Sequence, residues 1–397
     1  LKIFCKKFDG GRQSNFYYFC AMIWQRSIWL LLLCNSMAFA RIIQTPEQTL
    51  PNKMAFKGWQ LNMLPGFLIA HREYMANMEA HTLGMELQYS SNHTGWYNAD
   101  HAYKHLQWGT GLSYFYMGNP SLNGSALAWH INIEANLKQR EHFHAAMRIG
   151  SGIGYLSKPY DLNTNKMNKA IGSHFNGNMQ LMYKAYFDLT PKSALVLGLG
   201  VTHYSNGNFR RPNLGINMAH LSLGYLQKVK ISDQFRSRHL PDLFPKPGFE
   251  WLIGYARKQY AVADTRFFNI ISSSLLYYHP HNNKGNWRMG IETFFDKTYP
   301  YSTFNTAALN NVPLKDMTEI AAKVGHEFMF GRIGMVTDIG TYVMRPNKYK
   351  KAVYFAIGFN YCFNRGWIAQ TRLKSHMAVA DYFYWGVAKR FNSPIHF

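Results

Sequence analysis

The chain has 397 residues, 47% of them apolar, 16% aromatic and only 16% charged, and 43 Lys and Arg against 21 Asp and Glu give a formal net charge of +22. Its 26 Tyr, 28 Phe and 10 Trp exclude general disorder, which goes with few aromatics. A helical membrane protein is excluded too: each span needs about 20 apolar residues, and the one long apolar run lies near the N-terminus. A nucleic-acid binder, a soluble β protein and an outer-membrane β-barrel remain.

In chain order, the first predicted element is an export signal. Met22 to Ala40 carries a charge at Arg26, an apolar stretch from Ile28 to Leu33 and an A-x-A pattern at Ala38-Phe39-Ala40, the features of a cleaved secretory signal. The apolar stretch is too short for an anchor helix, and Leu33 is not the small residue expected before a lipidated Cys34. Residues 1–21 read as an over-long translated start. Removing residues 1–40 takes away five basic side chains and one acidic one, leaving a net charge of +18. It also takes Cys5, Cys20 and Cys34, so Cys362 has no partner for a disulfide and no companion for a Cys-based metal site. Export argues against nucleic acid as the anionic partner and points to lipopolysaccharide, with its phosphates.

From residue 41 onward the sequence reads as one outer-membrane β-barrel, all-β and antiparallel. Segments of 8–14 residues with period-2 patterning recur, separated by Gly, Asn, Pro and polar clusters. They are 82–91, 109–117, 126–137, 143–156, 178–189, 192–205, 216–227, 251–260, 268–278, 288–295, 319–330, 333–344, 353–363, 367–376 and 380–391. Transmembrane strands need about 9–11 residues. In 193–205, Leu195, Leu197, Leu199 and Val201 share one face, while Ala194, Val196, Gly198, Gly200 and Thr202 share the other. In a barrel the apolar stripe faces lipid; the competing reading is a core strand of a sandwich. An even strand number of about 12–16 is expected, with about eight strands in residues 64–230 and as many in 231–397. The terminal aromatic strand before Phe397 suits barrel-insertion machinery.

Short turns follow Leu137 and Asp188, and long connections follow Leu156 and Ser205. Because outer-membrane barrels have short periplasmic turns and long outer loops, Leu156 and Ser205 are expected at the outer side. The long, basic 229–248 link on the other side reads as a candidate boundary between halves.

His203 and Ser205 are i and i+2 on one strand and share its lipid-directed face. A polar pair there needs a reason, because unpaired polar groups facing lipid are costly. A hairpin through residues 206–215 would bring Asn217 beside His203. Ser, His and a third group that orients the imidazole form a nucleophile with its base, and Asn206 and Asn213 can donate hydrogen bonds to an oxyanion.

The string Thr202-His-Tyr-Ser-Asn-Gly-Asn-Phe-Arg-Arg-Pro-Asn-Leu-Gly-Ile-Asn217 resembles the signature of the outer-membrane lipid A 3-O-deacylase (acyloxyacyl hydrolase) family. The resemblance runs over about residues 66–230 and includes Gly152 to Asp161 and Ile171 to Asn176. It implies a carboxylic ester hydrolase that removes an acyl chain from lipid A, with His203 as base, Ser205 as nucleophile and Asn206 and Asn213 near the oxyanion; no cofactor is expected, and no metal site stands out among the 17 scattered His. Family members carry Glu fourteen residues after the His; here that position is Asn217. Asn can fix the imidazole but adds no charge, and Asp161 is a candidate to supply it. Lys158, Lys166 and Lys169 in one outer loop, and Arg210 and Arg211 in the next, are candidate ligands of lipid A phosphates; the bland alternative is ordinary solvated loops. A non-enzymatic barrel (porin or structural) that retains the motif and an outer-membrane phospholipase are the competing functions.

Overall fold

A computed structural model gives the structure of the protein and describes residues 55–92, 106–232, 246–282, 284–298, 313–346, 351–376 and 379–391. The expected start, export segment and Phe397 lie outside these residues. The first eight strands are β1 (Ala55–Ile69), β2 (His81–Ser91), β3 (Leu106–Tyr116), β4 (Ser125–Gln139), β5 (Phe143–Leu156), β6 (Phe175–Thr190), β7 (Ser193–Ser205) and β8 (Ile216–Ser232). The next eight are β9 (Gly248–Gln259), β10 (Phe267–Asn282), β11 (Gly285–Asp296), β12 (Thr318–Phe330), β13 (Ile333–Met344), β14 (Val353–Cys362), β15 (Trp367–His376) and β16 (Val379–Arg390).

These strands form two closed antiparallel barrels of eight, β1–β8 and β9–β16. The single barrel expected over residues 41–397 is therefore corrected. Closure is made by β1 on β8, through pairs such as Leu61↔Tyr225 and Ile69↔Asn217, and by β9 on β16, through pairs such as Tyr255↔Trp385. Once β8 has paired with β1 and β7, it has no free edge for β9. The long link before Gly248 lets the chain start a second closure, whereas a tight hairpin would have forced β8 and β9 together.

Each strand alternates as a membrane wall requires. In β2, Leu83, Met85 and Leu87 are exposed while Thr82, Glu86 and Gln88 are buried. The same holds for β7, where Leu195, Leu197, Leu199 and Val201 form the exposed stripe. In-strand glycines make room for large inward side chains. A Cβ on Gly154 would sit 2.5 Å from the Tyr204 ring.

The interiors are filled by polar networks, as an eight-stranded barrel has room only for side chains. In the first, Arg148 of β5 grips Glu86 of β2 with two bonds of 2.8 and 2.9 Å. Lys184 and Tyr186 of β6 reach Glu134 of β4 at 3.2 and 2.6 Å. In the second, Glu250 accepts from Arg288 and Arg390, each at 2.8 Å, and Glu292 accepts from Lys323 at 3.1 Å and Tyr354 at 2.7 Å. Arg148–Glu86 and Tyr354–Glu292 join strands three apart, and the other pairs join neighbouring or next-but-one strands, so the networks tie the inner wall together and fill the interior with side chains.

The barrels pack wall to wall. Leu106, Ile133, Ala135 and Met147 of the first form one buried cluster with Phe328, Phe330 and Met335 of the second, and Trp108 meets the edge of Phe330 at 5.7 Å. Residues of the lipid-directed face are thereby removed from lipid where the walls meet.

Candidate active site

The outer end of β7 and β8 carries the candidate residues. His203 and Asn217 are cross-strand partners, and the His203 Nδ1–H donates to Asn217 Oδ1 at 2.7 Å. The sequence spacing of fourteen is thus a direct consequence of an antiparallel hairpin with a ten-residue loop.

Ser205 ends the strand and is only 5% exposed. Its Oγ receives a bond of 2.9 Å from Asn213 Nδ2 and one of 3.2 Å from the Gly207 backbone N–H. Asn213 Oδ1 in turn accepts the Asn206 backbone N–H at 3.0 Å. Asn206 and Asn213 therefore differ in kind. The Asn213 amide points its donor at Ser205. The Asn206 amide is engaged away from it, donating to Ser173 Oγ at 2.7 Å and to the Arg210 carbonyl at 2.8 Å, so it ties the two outer loops together. Among the described residues Ser205 Oγ makes no hydrogen bond to His203; such bonds often tighten only once substrate is bound.

The outer loops are knitted by buried asparagines. Asn168 donates to the Lys158 carbonyl at 2.7 Å and Asn165 to the Pro159 carbonyl at 3.1 Å. The Leu214 N–H bonds to the Ala170 carbonyl at 2.9 Å, which pins the 206–215 loop to the 157–173 loop. Between them lies a cleft of about 250 Å³ lined by Lys158, Tyr160, Asp161, Ser173, His174 and Arg210 among others.

The five basic candidates do not converge. Lys158 and Arg210 line the cleft. Lys169 sits over the Tyr160 ring at 5.2 Å, and Lys166 is exposed in the turn beside it. Arg211 turns to the second barrel: its N–H and Nε–H bond to Gln259 at 2.8 and 3.3 Å. Asp161 does not serve His203. Its carboxylate accepts from Thr164 and Asn163 within its own turn, which holds its pKa below the ordinary value.

The sequence reading missed two features. The second barrel borders the site: Phe383 of β16 lies against Gly207 and Gly177, and Gly177 is the cross-strand partner of Ser205. Gly207 has φ +59°, and a Cβ there would come within 2.4 Å of the Phe383 ring, so both the backbone and the space require glycine. The second is His71, in the turn after β1, which meets Asn217 from behind. No local spacing signals a residue 146 positions away.

Two family models match the chain. Residues 81–226 match "Lipid A 3-O-deacylase (PagL)", and residues 248–393 match "Acyloxyacyl hydrolase, C-terminal domain", so each match falls within one barrel. Among solved structures, Neisserial surface protein A is similar at 10% identity with a TM-score of 0.32, covering 44% of this chain and 98% of its own. The outer membrane enzyme PagL is similar at 17% identity with a TM-score of 0.30, covering 42% of this chain and 98% of its own. A search of curated proteins finds no match. With one family model on each barrel, the chain belongs to the lipid A 3-O-deacylase (acyloxyacyl hydrolase) family of outer-membrane β-barrel proteins.

Proposed function

We propose that the first barrel hydrolyses an acyl ester of lipid A, the 3-O-linked one, with Ser205 as nucleophile, His203 as base and Asn217 as the group that orients the imidazole. The observation that carries this is the 2.7 Å bond from His203 Nδ1–H to Asn217 Oδ1. With the proton on Nδ1, Nε2 has a free lone pair on the face it shares with Ser205. The Ser205 hydroxyl, rotated from Asn213 toward His203, gives its proton to Nε2 as Oγ attacks the ester carbonyl carbon. Asn213 Nδ2 and the Gly207 N–H are the donors nearest Ser205, suited to the oxygen that gains charge. Collapse breaks the ester bond, the sugar alkoxide takes the proton from His203, and water then releases the acyl chain from Ser205 by the same route.

Lys158 and Arg210 in the neighbouring cleft supply positive charge for the phosphorylated sugar head group. The packed barrel interiors speak against the porin alternative. Hydrolysis of lipid A but not of glycerophospholipid vesicles by the purified full chain is the expected result. Equal rates on both would favour a phospholipase.

Asn217→Glu tests the third position. An Asp-to-Asn change in a serine protease triad costs about 10⁴ in turnover because the tautomer is wrong. Here the tautomer is already correct, so restoring the charge should raise kcat by only about tenfold. A marked loss in kcat would show that the amide itself is required.

A further inference from the structure

Resting on the Ser205–His203 reading, we propose that His71 is a positioning residue for the reaction, because it orients the Asn217 amide and so sets the tautomer of His203. The need arises from the amide. A carboxylate presents acceptors on both sides, but Asn has one acceptor and one donor end. With Oδ1 toward His203 the imidazole holds its proton on Nδ1 and Nε2 can act as base. With Nδ2 toward His203 the proton moves to Nε2 and the base is lost.

The structure holds a chain of bonds that permits only the first arrangement. The Leu214 carbonyl can only accept, and His71 Nε2 lies 3.1 Å from it. His71 therefore carries its proton on Nε2, which leaves Nδ1 as an acceptor. Asn217 Nδ2 donates to that Nδ1 at 3.2 Å, which turns Oδ1 to the His203 Nδ1–H at 2.7 Å. The starting carbonyl is itself held, since the Leu214 N–H is bonded to Ala170. Each link fixes the next, from the outer loop to the base. Burial holds the His71 pKa below its ordinary value, so the ring stays neutral and its Nδ1 stays an acceptor.

The test uses the refolded full chain, with His71→Phe, which keeps the ring but removes both nitrogens. It is made alone and with Asn217→Glu, and Ser205→Ala serves as the blank. With Asn217 in place kcat should fall ~10–100-fold with KM changed by less than about twofold, the scale of losing a partner that orients a functional imidazole. In the Asn217→Glu background the same change should cost less than about threefold, because a carboxylate needs no orienting. An equal loss in both backgrounds would reduce His71 to a packing role and overturn the proposal, as would no loss in the first. Nitrogen-15 NMR of labelled histidine gives a readout independent of activity: His203 should be the Nδ1–H tautomer, and His71→Phe should shift it toward Nε2–H. An unchanged tautomer overturns the proposal even if hydrolysis is lost. Absence of any Ser205-dependent hydrolysis in the unsubstituted protein counts instead against the underlying esterase reading.

Discussion

Ser205→Ala is expected to lower the hydrolysis of lipid A by at least about 10³-fold while leaving both barrels closed. The hydroxyl is the only nucleophile the geometry offers beside His203 among the described residues. Removing a triad nucleophile leaves only the contribution of the oxyanion donors and of binding, which in a serine protease is a small remnant of the rate. The fold should tolerate the change. Ser205 ends its strand, its Oγ bonds only to Asn213 and the Gly207 N–H among the described residues, and Asn213 retains the Asn206 N–H as a partner. Fatty acid release measured on refolded protein, beside a folding check by cold gel electrophoresis, separates the two effects. Activity within tenfold of the unsubstituted chain would remove Ser205 from the chemistry.

The second large effect is on stability. Arg148→Met should destabilise the first barrel by about 3–5 kcal/mol, the scale for breaking a buried pair by removing one partner. Arg148 and Glu86 are both fully buried, and the guanidinium bonds both carboxylate oxygens. Without it, Glu86 keeps the Asn62 amide at 3.0 Å but loses its counter-charge. The pair Glu86→Leu with Arg148→Met should recover much of the loss, because a matched apolar pair leaves no stranded charge. Urea unfolding in lipid vesicles measures both. A cost below about 1 kcal/mol for Arg148→Met would mean that water reaches the interior and screens the pair.

Much of the wall was legible from local alternation, since β5, β13 and β15 begin and end where period-2 patterning does. The count of eight strands in residues 64–230 left room for β1, but no segment was placed over it; Pro65 lies inside it, and proline within a run weakens the signal of a strand. In the structure Pro65 pairs with Leu83 of β2 and is skipped in the pairing to β8. The division into two barrels was illegible for a different reason. A lipid-facing stripe such as Leu195 to Val201 looks the same in an eight-stranded and a sixteen-stranded wall. Closure depends on which strands pair at long range, and only the 229–248 link hinted at it. The His203–Asn217 contact was readable because a hairpin fixes it. The Phe383 and His71 contacts were not, because they depend on tertiary packing between distant segments.

That packing bears on access to the site. The 206–215 loop is clamped by the second barrel, through Gln259 on Arg211 and the Phe209–Phe267 ring contact at 5.3 Å. On the proposed reading, substrate reaches Ser205 past a wall that a lone eight-stranded barrel would not present.

The measurement that tests the central claim most directly is the mass of lipid A from lipopolysaccharide-bearing cells that express the full chain. Loss of one hydroxyacyl chain is the expected result, absent when Ser205 is replaced by alanine. An unchanged lipid A mass with the folded protein in the outer membrane, or the same shift with Ser205→Ala, would contradict the account.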